Sequence, residues 1–307
     1  MKKPALTGSA ALPSAWRSDS RRRDALTAYA YILPSLLLIT AFYLLPILMT
    51  AFYSFTKFNL LQAPEYVGLD NFGRLFSDPF VRASIMNTLY FTAITVPVQS
   101  LLALLLAAVM ASRMKSIGKR LAIGSTFIPV ISSMIIVGVL WRMMFNTDVG
   151  IINAMLAIFG ADPVNWLGGK ATALISVCIV MIWKNVGYFL VIYYVAILDI
   201  PRSLYEAAEM DGANWWKKFF LVTLPSLRGI TYLVVTLGTI WSFQVFDLVY
   251  IMTGGGPGTS TVTLVMTVYN AAFKQYEMGY AAAISLLLFA IVVVITIIQK
   301  RFLGERE

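Results

Sequence analysis

A chain of 307 residues that is 59% hydrophobic and only 13% charged, with a mean hydropathy of +0.77, departs from the roughly 45–50% apolar and 25% charged composition of soluble domains; it reads as an integral membrane protein. Its net charge of +9 would suggest nucleic acid in a soluble protein, but basic residues in a membrane protein mainly set orientation, so no nucleic-acid partner is inferred. One cysteine, Cys178, and no histidine exclude a disulfide within the chain and a Ser-His-Asp or Cys-His nucleophile, and argue against a His- or Cys-built metal site.

The first residues, rich in Ser, Ala and Arg, read as a solvated tail. Stretches long enough to cross the ~30 Å hydrocarbon core, which takes about 20 apolar residues, follow near 28–52, 84–111, 121–145, 171–198, 229–252 and 279–299. The pattern predicts six transmembrane helices and an all-α membrane protein. Pro34, Pro46, Pro97 and Pro129 lie inside these spans, where neighbouring helices can satisfy the carbonyls they free. A signal peptide is the competing reading of the first span, but its apolar run is too long and no small-residue cleavage site follows it.

Basic residues fix the orientation. Lys2, Lys3, Arg17, Arg21, Arg22 and Arg23 precede the first span, and Arg113, Lys115, Lys119 and Arg120 join the second to the third. Arg202, Lys217, Lys218 and Arg228 join the fourth to the fifth, and Lys300, Arg301 and Arg306 follow the last. The opposite side has Lys57, Arg74, Arg82, Arg142, Lys170 and Lys274. The positive-inside rule then predicts that both termini are cytoplasmic in a multi-pass protein of a bacterial-type cytoplasmic membrane. The expected division is a tail over 1–26, a first helix and extracytoplasmic segment over 27–83, a five-helix core over 84–299 and a second tail over 300–307.

The connection 199–225 is unusually polar for this chain, with Glu206, Glu209, Asp211, Lys217 and Lys218 in "YEAAEMDGANWWKKFFLVTLP". Two start signals compete for its first helix. Pro201 suits the first helical position, and Ser203 with Glu206 has the spacing of a capping box. Gly212 suits the left-handed turn at the helix end, and Asn214 can cap a second helix through Thr223. An interfacial connector explains Trp215, Trp216, Phe219 and Phe220. It leaves Glu206, Ala207 and Ala208 unexplained: two small residues give a thin face that a partner's groove could approach, with acidic residues at its rim.

The stretch resembles the EAA loop of the transmembrane subunits of binding-protein-dependent ABC importers, on Glu206, Ala207, Ala208, Gly212, Val222, Leu224 and Pro225. The segments "VGLDNFGRLFSDPFVRASIMNTLYFT", "IWKNVGYFL", "VFDLVYIMTGGGPGTST" and "MGYAAAISLLLF" are similar to the sugar-permease subfamily of the maltose, lactose and glycerol-3-phosphate type. Unlike the maltose subunit, this chain has six spans and no large extracytoplasmic insertion. The resemblance implies the ABC importer type I transmembrane fold and import of a carbohydrate by alternating access. It also implies a heterodimer with a second homologous permease, two ATP-binding subunits that hold ATP and Mg, and an extracytoplasmic solute-binding protein. The chain itself would bind no cofactor and would not be an enzyme. Tyr205, Glu206, Ala207, Ala208, Asp211 and Gly212 would be the ATPase-coupling residues.

Polar groups within the spans are the candidates for a substrate pathway. Lys184, near the middle of the fourth span, should face protein or water; a packing or snorkelling role and a substrate contact both fit it, and Asn185 beside it reads as a bond between helices. Gln244 and Asp247 are three residues apart and are expected on one face of the fifth helix, with Phe243, Phe246 and Tyr250 near them. Such groups suit sugar hydroxyls and C–H faces, and a structural contact for Asp247 fits equally. "TGGGPGTST" lacks the Gly-Lys-Ser/Thr ending of a phosphate loop and reads as a tight-turn outer loop where a delivering protein could dock; "GLDNFGRLFSDP" is the other outer segment long enough for that contact but reads first as a surface-lying amphipathic piece. The alternative function is an ion-coupled secondary carrier with Lys184 and Asp247 as coupling charges; the broken helices expected of one are not evident in the sequence.

Overall fold

The computed structural model describes residues 14–304, with side chains at Asp24 and from Thr27 onward. Lys2, Lys3 and Arg306, and the side chains of Arg17 and Arg21 to Arg23, lie outside the described residues. The chain forms two compact units that meet in sequence at Phe52 and Tyr53.

In the first unit, α1 (Ser14–Ile39) passes through a π turn (Thr40–Leu44) into α2 (Leu45–Tyr53). Helix therefore begins inside the segment read as a tail, because Arg, Ala and Leu are good helix formers and extend the span's helix outward. The π turn immediately precedes Pro46, whose ring cannot donate the regular helical bond. Its side chains, Leu33, Leu37, Phe42 and Tyr43 among them, are exposed, as suits a helix solvated by lipid.

The second unit opens with a two-stranded antiparallel ribbon, β1 (Thr56–Lys57) on β2 (Glu65–Tyr66), then α3 (Asp70–Ser77) and α4 (Pro79–Arg113). α4 starts more than a turn before the hydropathy suggested. Asp78 accepts from Phe80 N at 2.8 Å, and Pro79 occupies the first helical position, so the Asp-Pro pair forms a start signal of its own. Next come α5 (Ser116–Ile131), α6 (Met134–Met144), α7 (Ile151–Ile158) and α8 (Thr172–Leu198). The polar connection contains α9 (Arg202–Met210), α10 (Trp215–Lys218), a π turn (Phe219–Thr223) and α11 (Leu224–Ser226). α12 (Arg228–Phe243), α13 (Asp247–Met252), α14 (Leu264–Tyr269), a π turn (Asn270–Lys274) and α15 (Met278–Leu303) complete it.

Among the described residues, four helices are long and apolar enough to cross a membrane alone: Thr27–Tyr53, Pro79–Arg113, Thr172–Leu198 and Met278–Leu303. Two bent pairs raise the described spans to as many as six, α5 with α6 at 100° and Trp215–Ser226 with α12 at 71°. The third span is thus not one straight helix. Pro129 removes a donor near the end of α5, Ser132 and Ser133 are extended, and α6 leaves in a new direction.

α4 and α8 form the centre of the second unit. Buried Ala103 and Ala107 of α4 pack in one cluster with Phe189, Leu190 and Tyr193 of α8, small side chains allowing helices to approach where hydrophobic contrast with lipid is absent. A Cβ at Gly187 would collide with the Thr126 carbonyl, so glycine is what lets α8 lie against α5. At the N-terminal ends of α4 and α15, Tyr280 donates to Asp78 at 2.7 Å, and Arg74 pairs with Glu277 at 2.8 Å.

Candidate functional site

The polar connection folds as a helix–turn–helix. α9 has Pro201, not Ser203, at its N-cap, so neither start signal operates as read: Pro201 stands one place before the first helical position, and no side-chain cap forms. Its end follows the sequence closely. Gly212 takes φ +71°, Ala213 N donates to Ala208 O at 2.9 Å and Gly212 N to Glu209 O at 2.9 Å. These are the two bonds of a Schellman turn. Asn214 then caps α10 by accepting from Lys217 N at 2.9 Å.

Three contacts tie this unit to itself and to the spans. Tyr205 Oη lies 2.9 Å from the hydroxyl of buried Thr223, Lys218 Nζ donates to Glu209 at 2.6 Å, and Trp215 Nε1 donates to Ser112 Oγ at 2.9 Å. Tyr205 therefore points inward as a brace. A cavity of about 490 Å³ lies among these helices and the C-terminal ends of α4 and α8, lined in part by Tyr205, Trp215, Ile197 and Phe219. Glu206, Ala207 and Asp211 are exposed, whereas Ala208 is half-buried. Met210 is 89% exposed one turn beyond Ala207. An apolar knob beside a small residue suits a partner's pocket, and the reading of the sequence missed it although Met210 stands at the required three-residue spacing. The Arg202–Glu206 pair at 3.1 Å is exposed and adds little.

The Lys218 hydrogen bond and charge hold the Glu209 carboxyl below its usual range. A depressed folded pKa means that the tether is intact at neutral pH and is lost as pH falls through that lowered value. In a carboxyl NMR titration, Lys218→Met is expected to raise the Glu209 midpoint toward that of free glutamate; an unmoved midpoint would mean that the pair does not form in solution.

The second constellation lies at the break between α12 and α13. Gln244 and Asp247 do not share the face of one helix as expected. α12 ends at Phe243, 244–246 leave helical geometry with Phe246 at φ −135°, and Asp247 begins α13. Thr263 Oγ1 donates to Val245 O at 3.0 Å and helps to hold the break. Both polar residues nevertheless line one cleft of about 180 Å³ with Asn185, Trp241, Met134, Met181 and Phe246. Asn185 is 8% exposed, and its Nδ2 has no hydrogen-bond partner. A buried amide donor left unmatched at a cleft wall is a group available to a ligand, so Asn185 enters the site that the sequence had assigned elsewhere.

The neighbouring candidates divide. Lys184 turns away from this cleft to the α5–α6 bend, where its ammonium donates to Pro129 O (3.0 Å), Val130 O (3.2 Å) and Ser132 O (3.0 Å). Three donors meet three carbonyls, matching the group's full donor count. Phe243 is fully buried and does not line the cleft. Tyr250 stacks on Phe246 at 5.2 Å outside it. Among the described residues no three of Cys, Asp and Glu gather as metal ligands. The glycine-rich loop after α13 takes positive φ at Gly254, Gly255 and Gly258, and the Asn87 amide ties it to α4 through Thr259 O at 2.7 Å.

Comparisons with known proteins agree on one family. Residues 72–303 match the family described as "Binding-protein-dependent transport system inner membrane component". The chain is 33% identical to the trehalose/maltose transport system permease protein MalF of Thermococcus litoralis, over 92% of this chain and 96% of that protein. It is 32% identical to the lactose transport system permease protein LacF of Rhizobium radiobacter, over 95% and 98%. Among solved structures, it shares its fold with a chain of a bacterial ABC transporter involved in the import of the acidic polysaccharide alginate. The TM-score is 0.80 at 22% identity, covering 94% of this chain and 98% of that one.

Proposed function

This chain belongs to the family of binding-protein-dependent transport system inner membrane components, and from that premise we propose that it translocates a carbohydrate by alternating access driven by separate ATPase subunits. The observation behind the reading is the α9 unit: a short helix with an exposed Glu206, Ala207 and Met210 face, ended by a rigid Schellman turn and braced to the spans. Closure of an ATPase pair seated on that face would push α9. The Tyr205–Thr223 and Trp215–Ser112 contacts would pass the movement to α4 and, through the 71° bend, to α12. The break above α12 would then open the cleft to one side or the other, and hydrolysis would restore the starting state.

In this scheme the sugar meets Asn185, Gln244 and Asp247 at the cleft, and Lys184 positions the α5–α6 bend. Both termini are cytoplasmic, 27–83 precedes a core transport domain over 84–299, and the active unit is a heterodimer with a second permease. Two ATPase subunits serve it from inside, and a solute-binding protein delivers from outside. Helix breaks do not separate this reading from an ion-coupled carrier, because they are present here and would be expected of both; the family membership favours the importer.

The experiment is purification of the tagged chain from its native membrane in mild detergent, followed by proteoliposome uptake of a sugar panel. An ATPase and a second permease are expected to co-purify, and uptake is expected to require ATP. Uptake by the chain alone on an ion gradient without ATP would overturn the proposal.

A further inference from the structure

Four aromatic side chains extend outward from the cleft. Phe246 and Tyr250 are one helical turn apart at α13, and Tyr269 and Phe273 one turn apart across α14 and its π turn, so each pair lines up along its own helix. The pairs face each other. Ring centroids are 5.2 Å apart for Phe246–Tyr250, 4.9 Å for Phe246–Tyr269, 5.6 Å for Tyr250–Tyr269 and 5.4 Å for Tyr269–Phe273. Lys274 Nζ stands 5.8 Å and 5.9 Å from the centroids of Tyr250 and Tyr269.

The direction of this row is set by hydrogen bonds. α14 begins where Leu264 N donates to Thr88 Oγ1, about 13 Å down α4 from its outer start at 1.5 Å per residue. The π turn that follows ends close in sequence to Glu277, which pairs with Arg74 of α3, a few residues before the outer start of α4. The row thus runs from the cleft, where Phe246 is a lining residue, toward the extracytoplasmic mouth.

Packing against a buried cluster explains Phe246 in part but not the other three rings. Phe243, three residues before Phe246 at the end of α12, is fully buried and shows what a core aromatic looks like here. Tyr250, Tyr269 and Phe273 belong to none of the three buried clusters, and Tyr250 and Phe273 are 42% and 62% exposed. A membrane-belt role predicts separate rings anchored at a headgroup level, whereas these rings follow one another in depth and join a polar cleft. Aromatic faces suit the C–H patches of sugar rings, and tyrosine hydroxyls with an ammonium suit their hydroxyls.

We propose that Phe246, Tyr250, Tyr269 and Phe273, ending at Lys274, form a track that stacks successive rings of an oligosaccharide as it enters the cleft. The substrate is then a chain of sugar rings, of which the 180 Å³ cleft takes only one end. This rests on the carbohydrate-importer reading above.

The test uses the intact purified complex in proteoliposomes with ATP, the solute-binding protein that delivers to it, and linear α(1→4)- and β(1→4)-linked glucose and galactose series of one to five rings. Uptake of each length is compared with that of the shortest sugar taken up. Tyr269→Leu and Phe273→Leu are expected to lower the ratio of longest to shortest roughly tenfold, the scale of a lost aromatic contact. Tyr269→Phe should largely restore it, and Phe289→Leu, on an exposed ring elsewhere on α15, should leave it unchanged. Co-purification of the second permease reports that each variant still assembles. A ratio unmoved by the leucine variants, or uptake confined to single rings in the unmutated complex, would overturn the track while leaving a sugar importer. ATP-driven uptake of a solute that is not a carbohydrate, with none of any sugar, would sink the carbohydrate reading itself.

Discussion

Gly212→Val is expected to reduce ATP-driven uptake at least tenfold while the chain still inserts and assembles with its second permease. Gly212 has φ +71°, and a Cβ built there meets nothing within 4 Å. The effect is therefore conformational and involves no clash. A β-branched residue in the left-handed region costs about 1–2 kcal/mol or more, which is comparable to the two hydrogen bonds that close the turn. The turn would open and α9 would swing away from the Tyr205–Thr223 brace. Ala207 and Met210 would then leave the position from which a partner could push on them. Asparagine visits the left-handed region more easily, so Gly212→Asn should retain most uptake, with Gly212→Ala between. Uptake per assembled complex and recovery of the ATPase on the tagged chain check this. Wild-type uptake by the valine variant would remove α9 from the coupling route.

What the sequence disclosed about this region was local chemistry. Gly212 and Asn214 announce a helix end and a helix start because the groups they satisfy lie within five residues. The six spans were legible for a similar reason: hydropathy over about 20 residues is a local sum. The cleft was not legible in this way. No proline or glycine marks the interruption at 244–246; the Thr263 hydroxyl, 18 residues away, helps to hold it. Lys184 and Asn185 are adjacent in sequence, but the 100° step between neighbours on a helix sends one to the α5–α6 bend and the other to the cleft wall. Period alone cannot say which goes where, because α8 is buried on several sides. The bend was hidden too: Pro129 reads as a tolerable kink until Lys184 is seen to satisfy the carbonyls that the turn releases.

That role leads to the second large effect. Lys184→Met keeps the length and much of the apolar stem of lysine but leaves the carbonyls of Pro129, Val130 and Ser132 without this donor. Unsatisfied buried acceptors cost about 1–3 kcal/mol each, and lipid offers no water to replace the lost partner. Because Pro129 O still accepts from Ser132 N at 3.3 Å, the expected loss is on the order of 3 kcal/mol rather than the full sum. It should appear as a lower Tm of the purified complex and a reduced amount of chain in the membrane. Lys184→Arg should recover part of the stability, since a guanidinium can reach the same oxygens with a wider head. A substrate contact predicts the opposite pattern, a normal Tm with a changed KM or sugar preference. Finding that pattern in Lys184→Met would place the ammonium in the pathway; a lower Tm with unchanged sugar preference would make it the fastening that lets a broken helix exist within the membrane.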